Sequence, residues 1–531
     1  MRNLQYPGRS PVYSANGMAA TSHPLSTQAA IDILKKGGNA LDAAIAACAV
    51  QCVVEPGSTG IGGDCFCLYA PHGNADEIIG FNGSGRAPKA AKVEWYLDQG
   101  IRNIERQSPH AVTIPGAIDA WCQLNNDHGV LSLREVLSSA ISYAREGFPL
   151  SPRVCFDFET QHAIIKSDST LAQTFLVNDN VPKVGTLMRQ PLLAQTLEVV
   201  AEKGREGFYS GDIMQDMVRT LQEQGGLHTQ EDFVEACGEY VVPISCDFHG
   251  YQVYQCPPNS QGIITLLLLN TLAGFELDNE VLSVERIHKE IEIGRLAYQD
   301  RFLYVSDPAY SNVPVEWMLS EEHAKEMRAA INLEHAMEKI PKFTATQHKD
   351  TVYITVVDSD RNVCSFINSL FYGFGSGIMT QKSGVLFNNR GTSFSLNHKN
   401  ANCIESGKRP MHTLIPGLVS KNGNVVLSYG VMGGHYQAFG HMQLLSRLLD
   451  YEYDIQEVQD LPRWFPNPIT GEVQVEDGIS DHTKEELLAM GHNIVSALRP
   501  IGGSQAISID WQNGVLSGGS DPRKDGCAIG Y

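Results

Sequence analysis

Positive charge is scarce in this 531-residue chain: 40 lysines and arginines stand against 60 aspartates and glutamates, a formal net charge of −20. That balance argues against nucleic acid and anionic membrane surfaces as partners and otherwise favours solubility. Long apolar runs are also missing. The longest, residues 43–50 and 263–269, fall far short of a membrane span and read as buried helix segments. Met1-Arg2-Asn3-Leu4-Gln5-Tyr6-Pro7-Gly8 carries no apolar stretch, so no secretory leader is expected and the cytoplasm is the expected compartment. The 12 cysteines include Cys65-Phe66-Cys67 but form no C-x-x-C pair and no regular spacing, which points to free thiols.

Several catalytic signatures are absent too. There is no H-E-x-x-H, and His288-Lys289-Glu290 has no P-C-x-x-C partner, so no metal is called for. Ser376 lacks the flanking glycines of a nucleophile elbow, since Phe374 and Ile378 stand two residues away on either side. Gly60-Ile61-Gly62-Gly63 and Gly373-Phe374-Gly375-Ser376-Gly377 do not complete G-x-G-x-x-G, and no Walker lysine follows. These glycines read as close-approach turns, and no nucleotide or other cofactor is expected.

What is present is an ordinary globular composition, 43% hydrophobic and 19% charged, with ample chain for a buried core. Helical patterning falls on residues 132–145, 192–203, 212–224, 284–304, 320–332 and 436–449. Strands are expected at residues 424–429 and opening from the run at 408–416, and residues 342–349 read as a tether. The most informative stretch begins at Asp350. Thr351-Val352-Tyr353-Ile354-Thr355-Val356-Val357 is β-branched and aromatic, as a strand should be. Asp358-Ser359-Asp360-Arg361-Asn362 supplies turn residues, and residues 363–367 return as the second strand of a hairpin. By itself, a threonine at the mouth of such a strand is only a good β-former.

The wider constellation changes that reading. The hairpin is followed by Asn368-Ser369, by Phe374-Gly375-Ser376-Gly377-Ile378 and by Gly384-Val385-Leu386-Phe387-Asn388-Asn389. Upstream lie Gly37-Gly38-Asn39-Ala40, then Gly60-Ile61-Gly62-Gly63-Asp64, and Pro257-Pro258-Asn259-Ser260-Gln261-Gly262. The chain closes on Gly519-Ser520-Asp521-Pro522-Arg523-Lys524-Asp525-Gly526. In this order, from about residue 18 to 527, the series resembles the γ-glutamyltranspeptidase family of N-terminal-nucleophile (Ntn) hydrolases.

The resemblance implies an α+β fold, a four-layer αββα sandwich with two antiparallel sheets between helices. It also implies a precursor that cuts itself between Asp350 and Thr351, leaving a large subunit of residues 1–350 and a small one of 351–531 that remain one structural unit. Thr351 would then be the nucleophile, and the chemistry explains its place. A hydroxyl needs a base beside it, and a free α-amine, with a reference pKa of about 7.7–8.0, is covalently held next to it. By the same resemblance, Ser369 keeps a hydroxyl beside the nucleophile and Gly433-Gly434 forms the oxyanion hole. Outside that match, these are an unremarkable strand serine and a loop glycine pair.

The substrate positions depart from the family pattern. Ser84 stands where glutathione-using members carry an arginine, with Arg86 two residues further on. Ser393 stands where they carry an acid that holds an α-ammonium, and Arg390 replaces a glutamine. His412-Thr413 replaces a pair of serines. Two arginines without the acid suit an acyl group that has a carboxylate and no ammonium. A small carboxylated amide such as oxamate is the expected substrate, reached through an acyl-enzyme, and γ-glutamyl hydrolysis or transfer is the alternative. A processing-dead binding protein is disfavoured by the intact Asp350-Thr351, Ser369 and Gly433-Gly434. The expected partners are the substrate and the chain's own two subunits as a heterodimer. Whether two heterodimers pair is left open.

Overall fold

The computed structural model describes residues 8–338 and 350–531, with only the backbone of Asp350. The expected tether at 342–349 lies outside the described residues.

The hairpin is longer than the sequence pattern suggested: strand Asp350–Val357 pairs with Val363–Phe371. It forms the centre of a seven-stranded antiparallel sheet. On one side follow Met18–Thr21 and Cys527–Gly530; on the other, Asp64–Ala70, Ile79–Gly83 and Glu239–Val241. A second seven-stranded antiparallel sheet runs Val12–Ser14, Val515–Ser520, Gly503–Asp510, Asn424–Met432, Gly417–Lys421, Tyr251–Gln255, Ile244–Phe248.

Alternation along the hairpin shows how the layers stack. Val352, Ile354 and Val356, with Cys364, Phe366 and Leu370, join an apolar core with the helices Pro24–Lys35 and Ala40–Val54. Tyr353, Val357, Val363 and Ile367 point the other way, into a core shared with Leu418, Met432 and Ile507 of the second sheet. The far face of that second sheet packs on the helices Gly262–Ala273, Val284–Tyr304 and Tyr436–Leu449. The protein is thus α+β, with two antiparallel sheets facing each other and helices outside both. Thr355 donates to Ser428 across the sheets at 2.6 Å. Gly430 lets the sheets close up: a Cβ there would lie 2.3 Å from the Tyr353 ring.

The helices Ala40–Val54 and Gly262–Ala273 are buried almost all round, which their apolar composition on every face anticipates. Asn39 and Asp42 form a reciprocal capping box at the first. Residues 408–416 are not the expected opening of a strand. Pro410 and Pro416 have no N–H to give a ladder, and the segment makes only an isolated bridge between Ser260 and His412 before Gly417 starts the strand. All 12 cysteines are free of disulfides. No helix among the described residues is long and apolar enough to cross a membrane.

The closing motif has a structural role. Asp521, fully buried, accepts from Ser504 N at 2.8 Å, from Arg463 Nη2 at 2.5 Å and from Arg523 N at 2.9 Å. Burial pushes its carboxyl up, but Arg463 and Arg523 outweigh that and hold it at about 2. Asp521→Asn leaves both guanidiniums facing a neutral amide, and should cost about 3–5 kcal/mol in urea unfolding at neutral pH. The unfolded chain binds the extra proton as pH falls from about 4 to about 2, so wild type loses stability in that window. The gap between wild type and variant should narrow there, by about 2–3 kcal/mol.

Candidate active site

The register that pairs Val352 with Asn368 sets Thr351 opposite Ser369, and shifts by one residue at Asp350, which pairs with Phe371. Both hydroxyl residues have the parity that faces the second sheet, at one end of the sandwich. Thr351 is 1% exposed and Ser369 fully buried. The Thr351 hydroxyl donates to Ser369 Oγ at 3.3 Å, and Ser369 Oγ also accepts the Phe371 N–H at 2.8 Å. From the second sheet's side, Gln437 Nε2 donates to Thr351 Oγ1 at 3.4 Å. These are long contacts, of the kind that tighten when a reacting group is engaged.

Gln437 comes from the first turn of the helix Tyr436–Leu449, which Gly433 (φ 119°) and Gly434 (φ 59°) lead into. Positive φ at both positions is cheap only for glycine. The Gly434 carbonyl is held by Gln261 Nε2 at 2.9 Å and by the Gln437 N–H at 3.2 Å. Its own N–H meets no acceptor among the described residues. Such a donor suits a developing oxyanion.

The contacts continue into a closed circuit. Gln261 Nε2 also donates to the Thr413 carbonyl at 3.1 Å, and Arg390 Nη1 donates to Thr413 Oγ1 at 2.9 Å. The Arg390 guanidinium lies 4.0 Å from the Phe371 ring centroid, and Phe371 leads back to Ser369. Arg390 is fully buried, and burial pulls its pKa down to about 10 against the opposing pull of Asp64, which leaves it charged at neutral pH. Its Nη2 has no hydrogen-bond partner among the described residues.

Asp64 offsets that charge. Its Oδ2 is 3.8 Å from Arg390 Nε and accepts from His412 Nε2 at 2.9 Å, while its Oδ1 accepts the Gly85 N–H at 2.9 Å. His412 Nδ1 accepts the Leu414 N–H at 3.2 Å, which assigns the ring proton to Nε2. Burial, with help from Arg390, lowers the His412 pKa to about 4 despite Asp64, so the ring is neutral in the physiological range.

Two expected residues make no side-chain hydrogen bond to this group among the described residues. Arg86 turns outward: its Nη1 donates to the Gly407 carbonyl at 3.1 Å and lies 3.6 Å from Asp307. It borders a surface cleft of about 390 Å³ with Lys89, Cys237 and Tyr310. Ser393 ends the turn that Arg390 begins and is half-buried; its carbonyl accepts from Asn402 at 2.6 Å. Sequence reasoning missed Asp64, Gln261 and Gln437. Asp64 and Gln261 lie inside motifs already conspicuous for their glycines and prolines, whereas Gln437 had no signal beyond following Gly433-Gly434. His288, Glu292 and His492 form a separate group of metal-ligating type whose atoms are mostly engaged within the protein, His492 Nδ1 having no hydrogen-bond partner among the described residues. Glu292 accepts from Arg295 at 2.6 Å and from the Met337 N–H at 3.0 Å, and the two histidines share a hydrogen bond of 2.7 Å.

Comparison with known proteins gives one consistent result. The family model described as Gamma-glutamyltranspeptidase matches residues 26–531. The chain is 37% identical over 530 residues to the glutathione hydrolase-like YwrD proenzyme of Bacillus subtilis strain 168, covering 98% of this chain and 99% of that one. It is 28% identical over 530 residues to the oxamate amidohydrolase proenzyme of Klebsiella pneumoniae, with 98% and 99% covered. Among solved structures, cephalosporin acylase from Bacillus halodurans matches with a TM-score of 0.92 at 38% identity, over 100% of this chain and 99% of that one.

Proposed function

The chain belongs to the γ-glutamyltranspeptidase family, and from that premise we propose a self-processing amidohydrolase whose nucleophile is Thr351 and whose acyl group carries a carboxylate. The observation that carries the nucleophile assignment is the Thr351–Ser369 hydroxyl pair at the end of the central hairpin, connected through Gln437 to the turn at Gly434. On this reading the layered fold is the αββα sandwich of the Ntn hydrolases. The similarity to relatives named proenzymes supports maturation by cleavage.

In maturation, Thr351 Oγ1 bonds to the Asp350 carbonyl carbon as its proton passes toward Ser369 Oγ. The carbon–nitrogen bond then breaks, the nitrogen takes up a proton, and Asp350 is left as an ester on Thr351. Water adds to the ester and expels Oγ1, which regains a proton. The products are the Asp350 carboxyl and a free Thr351 amine. In turnover that amine serves as the base for Oγ1 against the substrate amide, while the Gly434 N–H faces the tetrahedral oxyanion. The two pieces, 1–350 and 351–531, share both sheets and would stay together as a heterodimer.

The substrate class rests on Arg390. A buried guanidinium with Nη2 unspent and Thr413 Oγ1 alongside suits a carboxylate. The neighbouring carboxylate, Asp64, already holds Gly85 and His412 and offsets Arg390, so an α-ammonium would find no spare acid. An oxamate-like amide is therefore favoured. The second reading, γ-glutamyl hydrolysis, is favoured by the likeness to the YwrD protein.

Purified protein should run as two bands with Thr351 as a new N-terminus, and Thr351→Ala as one; cleavage of that variant at the same bond would sink the mechanism. Ser369→Ala, once processed, should lose about 10- to 1000-fold in turnover. Across a panel of oxamate, γ-glutamyl-p-nitroanilide and acylated amines, kcat/KM should be highest for the carboxylated small amide. Arg390→Lys, which keeps the charge beside Asp64 but not the fork, should reduce that activity by about 10- to 100-fold more than any γ-glutamyl activity. Efficient γ-glutamyl turnover with no response to oxamate would promote the second reading.

A further inference from the structure

We propose that Gln437 is a catalytic residue of self-cleavage, donating its side-chain N–H to the Thr351 hydroxyl oxygen at the stage when no amine yet stands beside it. This rests on the reading of Thr351 as nucleophile. Gln437 is fully buried, and its amide makes a single side-chain hydrogen bond among the described residues, to Thr351 Oγ1 at 3.4 Å. Its Oε1 meets no partner among the described residues. Packing alone does not explain a glutamine here: a buried amide with half its capacity unspent is destabilising relative to an apolar side chain of the same shape. The same helical turn carries the Gly434–Gln437 backbone bond, so the side chain and the Gly434 N–H are aimed by one rigid element.

The precursor has a particular need that this donor meets. With Asp350 attached, the Thr351 nitrogen is an amide and takes no proton, so the hydroxyl lacks the base it later acquires. The hydroxyl hydrogen already points to Ser369 Oγ. A donor to Oγ1 leaves the hydroxyl hydrogen to Ser369 and stabilises the negative charge that develops as the proton departs. The first turn of a helix adds a partial positive charge to the same oxygen. After cleavage the α-amine takes over the activation, so Gln437 should matter more for maturation than for turnover.

The test follows cleavage from time zero in cell-free synthesis of the full chain, by denaturing gel and intact mass, for wild type, Gln437→Met and Gln437→Glu. The methionine variant keeps shape and loses the donor, and should cleave about 10- to 100-fold more slowly. The glutamate variant replaces the donor with an oxygen and should be no faster than the methionine variant. Hydroxylamine, which attacks esters, should not restore the methionine variant, because the defect precedes the ester. A thermal unfolding midpoint near wild type shows that the fold is intact; should the methionine variant fail it, Gln437→Asn, which shortens the amide out of reach, takes its place with the same expectation. Cleavage at the wild-type rate without the donor, faster cleavage by the glutamate variant, or rescue by hydroxylamine each overturns the role. Those results differ from failure of the underlying reading, which would show as cleavage at this bond in Thr351→Ala.

Discussion

The strand Asp350–Val357 has helices on one face and a second sheet on the other, so a slip of one residue would exchange Val352, Ile354 and Val356 with the residues that now fill the space between the sheets. Neither apolar layer matches the other set: one is shaped to aliphatic side chains from helices, the other to Tyr353 against Gly430 and Thr355 against Ser428. Register is thereby specified from both sides. The positions of Thr351 and Ser369 follow from it, because they continue the series that faces the second sheet beyond the last apolar pair. What the site needs in precision, two hydroxyls within reach of each other, is supplied by packing several residues away.

Charge at this end of the sandwich is arranged rather than cancelled. Arg390 is set against Asp64, whose other bonds go to Gly85 and a neutral His412. On the opposite flank Arg301, also buried, donates to Gln261 Oε1 at 2.6 Å and lies against His435 Nδ1 at 3.0 Å, with no carboxylate in ion-pair contact among the described residues. Burial lowers its pKa to about 10, which leaves it protonated at neutral pH. Two cations thus flank the loop before the helix Tyr436–Leu449, and of the two Arg390 has the carboxylate of Asp64 beside it. In a low-dielectric interior that surplus favours anions, both a substrate carboxylate and an oxyanion on the proposed reading. Keeping it costs stability, which is a common trade at sites that must meet charge only when occupied.

Much of this was legible in the chain because much of it is local. The hairpin and the helices Val284–Tyr304 and Tyr436–Leu449 follow from composition and periodicity, whereas the candidate pair Thr351 and Ser369 came only with the family resemblance that the ordered motifs carry. The segment at 408–416 was not: it was expected to open a strand, but its prolines withhold the ladder until Gly417. Arg86 and Arg390 looked equivalent as extra arginines. Only the fold separates them, turning one outward to Asp307 and burying the other against Phe371. Gln437 reaches Thr351 across 86 positions of sequence, and Asp64 reaches His412 across 348. Contacts of that span leave no periodic trace.

The topology also bears on what a cut before Thr351 would release. Met18–Thr21 pairs with the central strand only from Ile354 onward, and Val363–Phe371 holds it from Val352. A new terminus would thus be clamped on one side one residue in and on both sides three residues in. Cys527–Gly530 clasps Met18–Thr21, and Gly417–Lys421 clasps Tyr251–Gln255, so each piece would be stitched into the other's sheets. Pulling them apart would break ladders through both cores. On the proposed reading, cleavage therefore frees one residue, and that residue is the one whose nitrogen must turn from an amide facing Asp350 to an amine facing its own hydroxyl. The remainder of the strand keeps that hydroxyl where Ser369 and Gln437 already hold it.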